Sequence, residues 1–314
     1  MWTCGQLKQR AKYSLTNKYW SALLASLIIW GITYAITWLL STISSVAMFS
    51  SLFPSLLGNP YFYASYSYGS YYEVSQFFLR MLPTMILTMV MSFLPQFFAF
   101  HPLQVGELNW YSRNRETPVR PGYQNLFCAF TRTSYWKVVG AMAYRYLFLF
   151  LWTLPALVPY VLIVVFMAIA QTNAGAVVFL MPLLFLVLIA FMVLLIIASL
   201  RYVFIPWILA DNPQIGYRRA MELSKIMTRG QIGHIFGLYL SFIPWYLAVF
   251  GAALLTCGIG AVSIIFLIPY LQATYAELYA QCRHNAIQSG QCSLEELGFA
   301  SPASSQTPPS YPNA

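Results

Sequence analysis

The stretch RYLFLFLWTLPALVPYVLIVVFMAIAQTNAGAVVFLMPLLFLVLIAFMVLLIIASLR, residues 145–201, holds no Asp, Glu, Lys or Arg between its terminal arginines. A soluble fold of that length needs charge on its surface, since soluble domains carry about a quarter charged residues. The stretch therefore reads as embedded in hydrocarbon. Crossing roughly 30 Å at about 1.5 Å per residue takes about 20 apolar residues, so there is room for two helices. The polar run Gln171-Thr172-Asn173-Ala174-Gly175 divides them, which predicts spans over 146–170 and 176–200.

Working outward, three further stretches are free of acidic residues, Lys and Arg: Lys18 to Glu73, Arg80 to Glu107, and Arg229 to Glu277, the last containing His234. They predict spans over 20–41, 77–100, 232–256 and 260–280, the last two divided by a glycine-assisted turn at Cys257-Gly258-Ile259-Gly260. The expected fold is an all-α polytopic membrane protein with six transmembrane helices. A single membrane domain over 1–284 is followed by a polar, Pro/Ser-rich tail over 285–314, disordered by composition from Ser301. Over the 314 residues, 59% are hydrophobic and 8% charged. Too few charges remain to solvate an ordinary soluble enzyme or to extend a disordered chain.

Orientation follows from Lys and Arg, which are retained on the cytoplasmic side. Lys8, Arg10, Lys12 and Lys18 precede the first span; Arg113, Arg115, Arg120, Arg132 and Lys137 follow the second; Arg218, Arg219, Lys225 and Arg229 follow the fourth. The alternate connections, 42–76, 171–175 and 257–260, have none, so both termini are expected in the cytoplasm. The first apolar run is longer than the core of a signal peptide, about 7 to 15 residues, and reads as a span. Cys4, Cys128, Cys282 and Cys292 fall on the inner side and Cys257 near the outer, which implies no intramolecular disulfide.

Each basic segment carries an amphipathic pattern: Leu7, Ala11 and Leu15 in the first; Leu126, Phe127 and Phe130 within 123–137; Ile215, Ala220, Leu223, Ile226 and Met227 in the third. Such helices can lie in the headgroup plane and attract anionic lipid through Lys8, Lys12, Lys18, Arg132, Lys137, Arg218, Arg219, Lys225 and Arg229. Two readings are open. Three tandem units of interfacial helix plus hairpin explain the pattern, and so does the general tendency of aromatic and basic residues to mark membrane interfaces.

The run Arg201-Tyr202, Ala210-Asp211-Asn212-Pro213, Ala220 to Met227 and Leu240 to Trp245 is similar to the bacterial integral-membrane family named domain of unknown function nine-seven-five. So are Gly258-Ile259-Gly260, Pro269-Tyr270, Ala276-Glu277-Leu278-Tyr279, and the opening Leu7-Lys8, Arg10-Ala11-Lys12, Tyr19-Trp20. The middle of the chain departs from the pattern, with Pro159-Tyr160 where a Pro-Gly is expected. The resemblance implies a multi-pass protein of the bacterial plasma membrane with no assigned activity.

The sequence offers little chemistry. His101, His234 and His284 have no Glu or Cys at metal-ligand spacing, no Gly-x-Ser-x-Gly turn occurs, and no phosphate-binding loop ends in Gly-Lys-Ser/Thr. No cofactor is expected, and the reading is of a non-enzymatic protein. The basic residues sit at predicted bilayer edges, which favours membrane lipids with anionic headgroups, a membrane-protein partner or a second copy over nucleic acid. The candidate site is a polar cluster of Arg145, Arg201 and Glu277 near the inner face, since charge drawn into hydrocarbon is often functional. Snorkelling of these side chains to the interface accounts for the same placement. Prolines in or beside five of the six spans keep a small-solute transporter or channel as the alternative. The Tyr-rich outer loop, Asn59 to Gln76, is expected to anchor at the interface or to contact an extracytoplasmic partner.

Overall fold

A computed structural model describes residues 2–57, 71–169 and 174–299, and every regular element among them is helical. Helix α1 (Cys4–Leu15) opens with a reciprocal cap: the Thr3 hydroxyl accepts from the Gln6 N–H, and the Gln6 side chain accepts from the Thr3 N–H. Helix α2 (Tyr19–Leu57) runs past the end expected at residue 41. Ser41, Thr42 and Ser45 donate to their own helix's carbonyls three or four residues back, so these hydroxyls are satisfied without ending the helix.

Helix α3 (Tyr71–Pro95), a π-helical turn at Gln96–Phe100 and α4 (His101–Glu116) follow one another directly. Pro102 has no N–H to give to the Phe98 carbonyl, and the Tyr135 hydroxyl donates to that carbonyl instead at 2.7 Å. The segment expected as an amphipathic helix over 123–137 divides differently. Tyr123–Phe130 is a 3-10 helix, and α5 (Tyr135–Ile169) begins after a bend.

Helix α6 (Ala174–Arg201) gives way to a turn and then to α7 (Ile205–Asp211), apolar up to its terminal Asp211, with Pro206 in its first turn where no N–H is needed. Helix α8 (Tyr217–Thr228) precedes the predicted fifth span, which is two helices, α9 (Ile232–Leu240) and α10 (Ile243–Leu255), separated just before Pro244. Gly258 has φ +97°, and a Cβ on Gly260 would fall 2.4 Å from the Ala252 backbone, so the predicted glycine turn is realised. A 3-10 turn (Ile259–Ser263) leads into α11 (Ile264–Gln288).

Among the described residues six helical stretches are long and apolar enough to cross a membrane: Tyr19–Ser50, Met81–Glu116, Tyr135–Pro155, Leu180–Asp211, Ile232–Leu255 and Ile259–Gln288. Helix α2 packs on α3, α5 on α6, and α10 on the turn that follows it. The core lies at one end of these hairpins, here termed the base. There α4 meets α7 and α11, burying Trp110, Tyr111, Phe204, Ile208 and Tyr279 almost completely.

The stripes of α1 and α8 face this core. Leu7, Ala11 and Leu15 of α1 are buried, with α1 lying along α11, and Ala220, Met221, Leu223 and Met227 of α8 are buried likewise. Their amphipathicity is therefore met by protein packing rather than by a lipid surface. The three short elements that precede the hairpins also differ in kind, α1 and α8 having 12 residues each and the middle one being an 8-residue 3-10 helix.

The tail expected to be polar from 285 is structured in its first part: α11 continues to Gln288, and a 3-10 turn at Glu295–Leu297 buries Leu297 completely. Most of the Tyr-rich loop, the break at 170–173 and the tail from Ser301 lie outside the described residues.

Candidate functional site

At the base, α4 and α11 run side by side and present charged residues at their ends. Arg115 of α4 lies 3.0 Å from the Glu277 carboxylate of α11, while Arg283 of α11 lies 2.7 Å from Glu116 of α4. The two helices thus exchange ion pairs in both directions. Arg283 also reaches Asp211 at the end of α7, at 2.6 Å. Asp211 accepts two further hydrogen bonds, from the Tyr279 hydroxyl at 2.8 Å and from the Ser112 hydroxyl at 3.1 Å. Its side chain is 4% exposed and that of Arg283 12%, so this pair is largely withdrawn from water. A buried carboxylate needs such compensation, because an isolated charge in a low-dielectric interior costs several kcal/mol or more.

The local sequence explains this geometry. Leu103-Gln104, Tyr111 and Arg115 on α4 recur at the same spacing as Leu271-Gln272, Tyr279 and Arg283 on α11. On each helix the Tyr is buried one turn before the Arg, and it bonds inward: Tyr111 donates to the Ala22 carbonyl at 3.2 Å, and Tyr279 to Asp211. That internal echo is the signal by which Arg115 and Arg283 were legible, and attention to charge-free stretches passes over it.

The expected cluster of Arg145, Arg201 and Glu277 does not assemble. Glu277 is buried and pairs with Arg115. Arg145 lies 5.6 Å from the Tyr146 ring, which in turn stacks on His101 at 4.7 Å; Arg201 is exposed and 6.0 Å from the Trp152 ring. The physical reason is the helical continuation of α4 past the predicted span end at 100, which carries Arg115 to Glu277. Glu107 is a further buried acid, besides Asp211 and Glu277. The Ser26 hydroxyl donates to it at 2.7 Å, and it has no ion pair among the described residues.

The nine residues expected to touch lipid headgroups divide. Lys8 turns inward, donating to the Ser241 carbonyl and lying 4.3 Å from the Phe242 ring. Lys18 donates to the Asn114 and Thr117 carbonyls at 3.0 and 2.6 Å, where the C-terminal end of α4 favours a cation, and burial pulls its ammonium below the usual lysine range. Arg219 pairs with Glu222 and Glu296, which raises its pKa and lowers that of Glu296. Lys137 donates to Gln214, Lys12 lies 6.0 Å from the Tyr270 ring, and Lys225 lies 5.6 Å from the Tyr202 ring. Arg132, Arg218 and Arg229 are exposed and have no ion pair among the described residues.

All five cysteines are free, and burial pushes the Cys292 thiol up to about 11. Among the described residues no group of three or more His, Cys, Asp or Glu is placed to hold a metal ion.

Six apolar helices of spanning length among the described residues, joined to a base stapled by polar contacts, are compatible with a multi-pass membrane protein. The sequence model of the family described as "Protein of unknown function (DUF975)" matches residues 1–286, and the chain belongs to that family. No curated protein and no solved structure gives a significant match.

Proposed function

We propose that the protein is a non-enzymatic membrane-embedded interaction or assembly factor of the bacterial plasma membrane, with both termini in the cytoplasm, that contacts anionic lipid through its base. The observation that carries this reading is the contrast between base and spans. The base is packed and cross-linked by ion pairs, whereas only 6% of the apolar stretch within Met81–Glu116, and 33% of that within Ile259–Gln288, is buried inside its own chain. Exposed side chains such as Trp30, Trp38, Phe166, Phe185 and Phe250 offer apolar surface to lipid or to a partner's helices. Arg132, Arg218 and Arg229, free of carboxylates among the described residues, supply attraction of about 1 kcal/mol each toward anionic headgroups. The test is reconstitution in nanodiscs of mixed phosphatidylcholine and phosphatidylglycerol, with mass spectrometry of the lipid that stays bound. Enrichment of phosphatidylglycerol that weakens in the Arg132→Gln, Arg218→Gln, Arg229→Gln triple variant supports the reading.

One observation favours transport of a small solute instead. Thr37, Ser41, Ser44, Ser45, Thr88 and Ser92 line a groove of about 420 Å³ between α2 and α3. Most of these hydroxyls donate to their own helix, including Thr37, Ser41, Ser45, Thr88 and Ser92, which reduces what they offer a solute. A liposome swelling assay with small polyols separates the two readings, since a scaffold leaves the vesicles sealed.

A further inference from the structure

Two adjoining clefts open at the base between α1, α4 and α11. The smaller, about 480 Å³, is lined by Arg10, Arg115, Arg283 and His284 and by no carboxylate. The larger, about 820 Å³, shares Arg10 and Arg115 and adds Lys18, together with Glu116 and Glu277. Within this cluster Arg115 and Arg283 are matched by Glu277, Glu116 and Asp211. Arg10 is not: its Nη1 donates to the neutral Gln281 Oε1 at 3.0 Å, and it has no ion pair among the described residues. A guanidinium carries five N–H donors, so most of those on Arg10 are uncommitted.

We propose that this cleft is a binding site for a phosphate-bearing anion, held by Arg10 with Arg115 and Arg283 as its flanking cations. Three arguments support that chemistry. The cations come from three helices, α1, α4 and α11, and so approach from different directions, which suits the tetrahedral oxygens of phosphate better than the planar pair of a carboxylate. Arg115 and Arg283 are already held by carboxylates, so little side-chain entropy remains to be lost when their remaining donors meet an anion. The volume lies within the roughly 300–1,000 Å³ of ordinary small-molecule sites. The phosphate can belong to a lipid headgroup or to a soluble phosphomonoester. The inference goes beyond the reading above because it needs none of Arg132, Arg218 and Arg229.

The experiment uses the full chain in nanodiscs. In pure phosphatidylcholine discs, isothermal titration with inorganic phosphate and with sn-glycerol 3-phosphate probes the soluble source. In discs with a minor fraction of phosphatidylglycerol, native mass spectrometry of retained lipid probes the headgroup. Saturable binding in either arm, weakened roughly tenfold in Arg10→Gln, partly restored in Arg10→Lys and unchanged in Arg132→Gln, supports the site. Arg10 is exposed, so an unaltered melting curve is expected to show that Arg10→Gln folds. No saturable binding in either arm, or equal binding by wild type and Arg10→Gln, overturns the proposal. Loss of lipid selectivity in the Arg132, Arg218 and Arg229 variants alone bears on the broader reading and leaves the cleft standing.

Discussion

Arg115 and Arg283 occupy matching places on adjacent helices, and each holds an acid of the other's helix: Glu277 at 3.0 Å and Glu116 at 2.7 Å. The pairs are not equal in cost. The Arg115 side chain is 26% exposed and that of Arg283 12%, and Arg283 alone also balances Asp211.

Arg283→Gln is therefore the severe substitution. It leaves the Asp211 carboxylate buried with only two hydroxyl donors, a change that costs about 3–5 kcal/mol when a buried pair loses one partner. The thermal melt in detergent should shift down strongly. Adding Asp211→Asn should recover much of the loss, since the acid that lacked a cation is then neutral. A melt of Arg283→Gln that overlays wild type would mean that Asp211 is not charged in the folded protein.

Gly106 lies where α4 crosses the 3-10 helix, and a Cβ there would fall 1.8 Å from the Leu126 carbonyl oxygen. Both sides of that contact are backbone, so no side chain can move aside. Gly106→Ala should destabilise by about 1–3 kcal/mol or more. Gly140→Ala, where nothing lies within 4 Å, serves as the control and should melt like wild type.

The first part of the tail is fastened by the Arg219 to Glu296 pair and by Asn212, whose side chain donates to the Glu296 carbonyl at 2.9 Å. The hydrogen bond from Arg219 holds the Glu296 pKa below the ordinary value of 4.5. Its contribution is thus fully present above that value and is lost as pH falls through the lower folded value. Arg219 is 38% exposed, so solvent screening keeps the pair below about 1 kcal/mol. Proteolysis of the tail should rise slightly below pH 4.5 in wild type, and the Glu296→Gln variant should show that rate at all pH values.

Cys257 is exposed in the turn after α10, and the proposed orientation puts that turn on the outer side. A membrane-impermeant maleimide should label it in intact cells. A cysteine introduced by Thr133→Cys, beside the basic Arg132, should react only after permeabilisation. Labelling of both in intact cells would contradict the assigned orientation.

The hairpins were legible because lack of charge over about 20 residues leaves little alternative to a span. Helix ends were less so. The first span is expected to end at residue 41, yet the hydroxyls of Ser41, Thr42 and Ser45 fold back onto the helix, and α2 continues to Leu57. The apolar stripes on α1 and α8 were visible, but amphipathicity does not say whether the partner is lipid or protein. Leu7 and Leu223 are fully buried against the core. The site was the least legible part. Pairing Glu277 with Arg115 depends on two helices lying side by side, and proximity to the predicted inner face pointed to Arg145 and Arg201 instead. The recurrence of Leu-Gln, Tyr and Arg on α4 and α11 was the one local clue.

In the proposed reading a base stapled by ion pairs presents cations to anionic lipid while the spans leave apolar surface for lipid or a partner. The decisive measurement is mass spectrometry of the lipid retained by the protein after reconstitution in mixed phosphatidylcholine and phosphatidylglycerol discs. Phosphatidylglycerol should be enriched over its share in the discs, and the Arg132, Arg218 and Arg229 triple variant should lose most of that enrichment. Retained lipid that mirrors the disc composition in both proteins would contradict it.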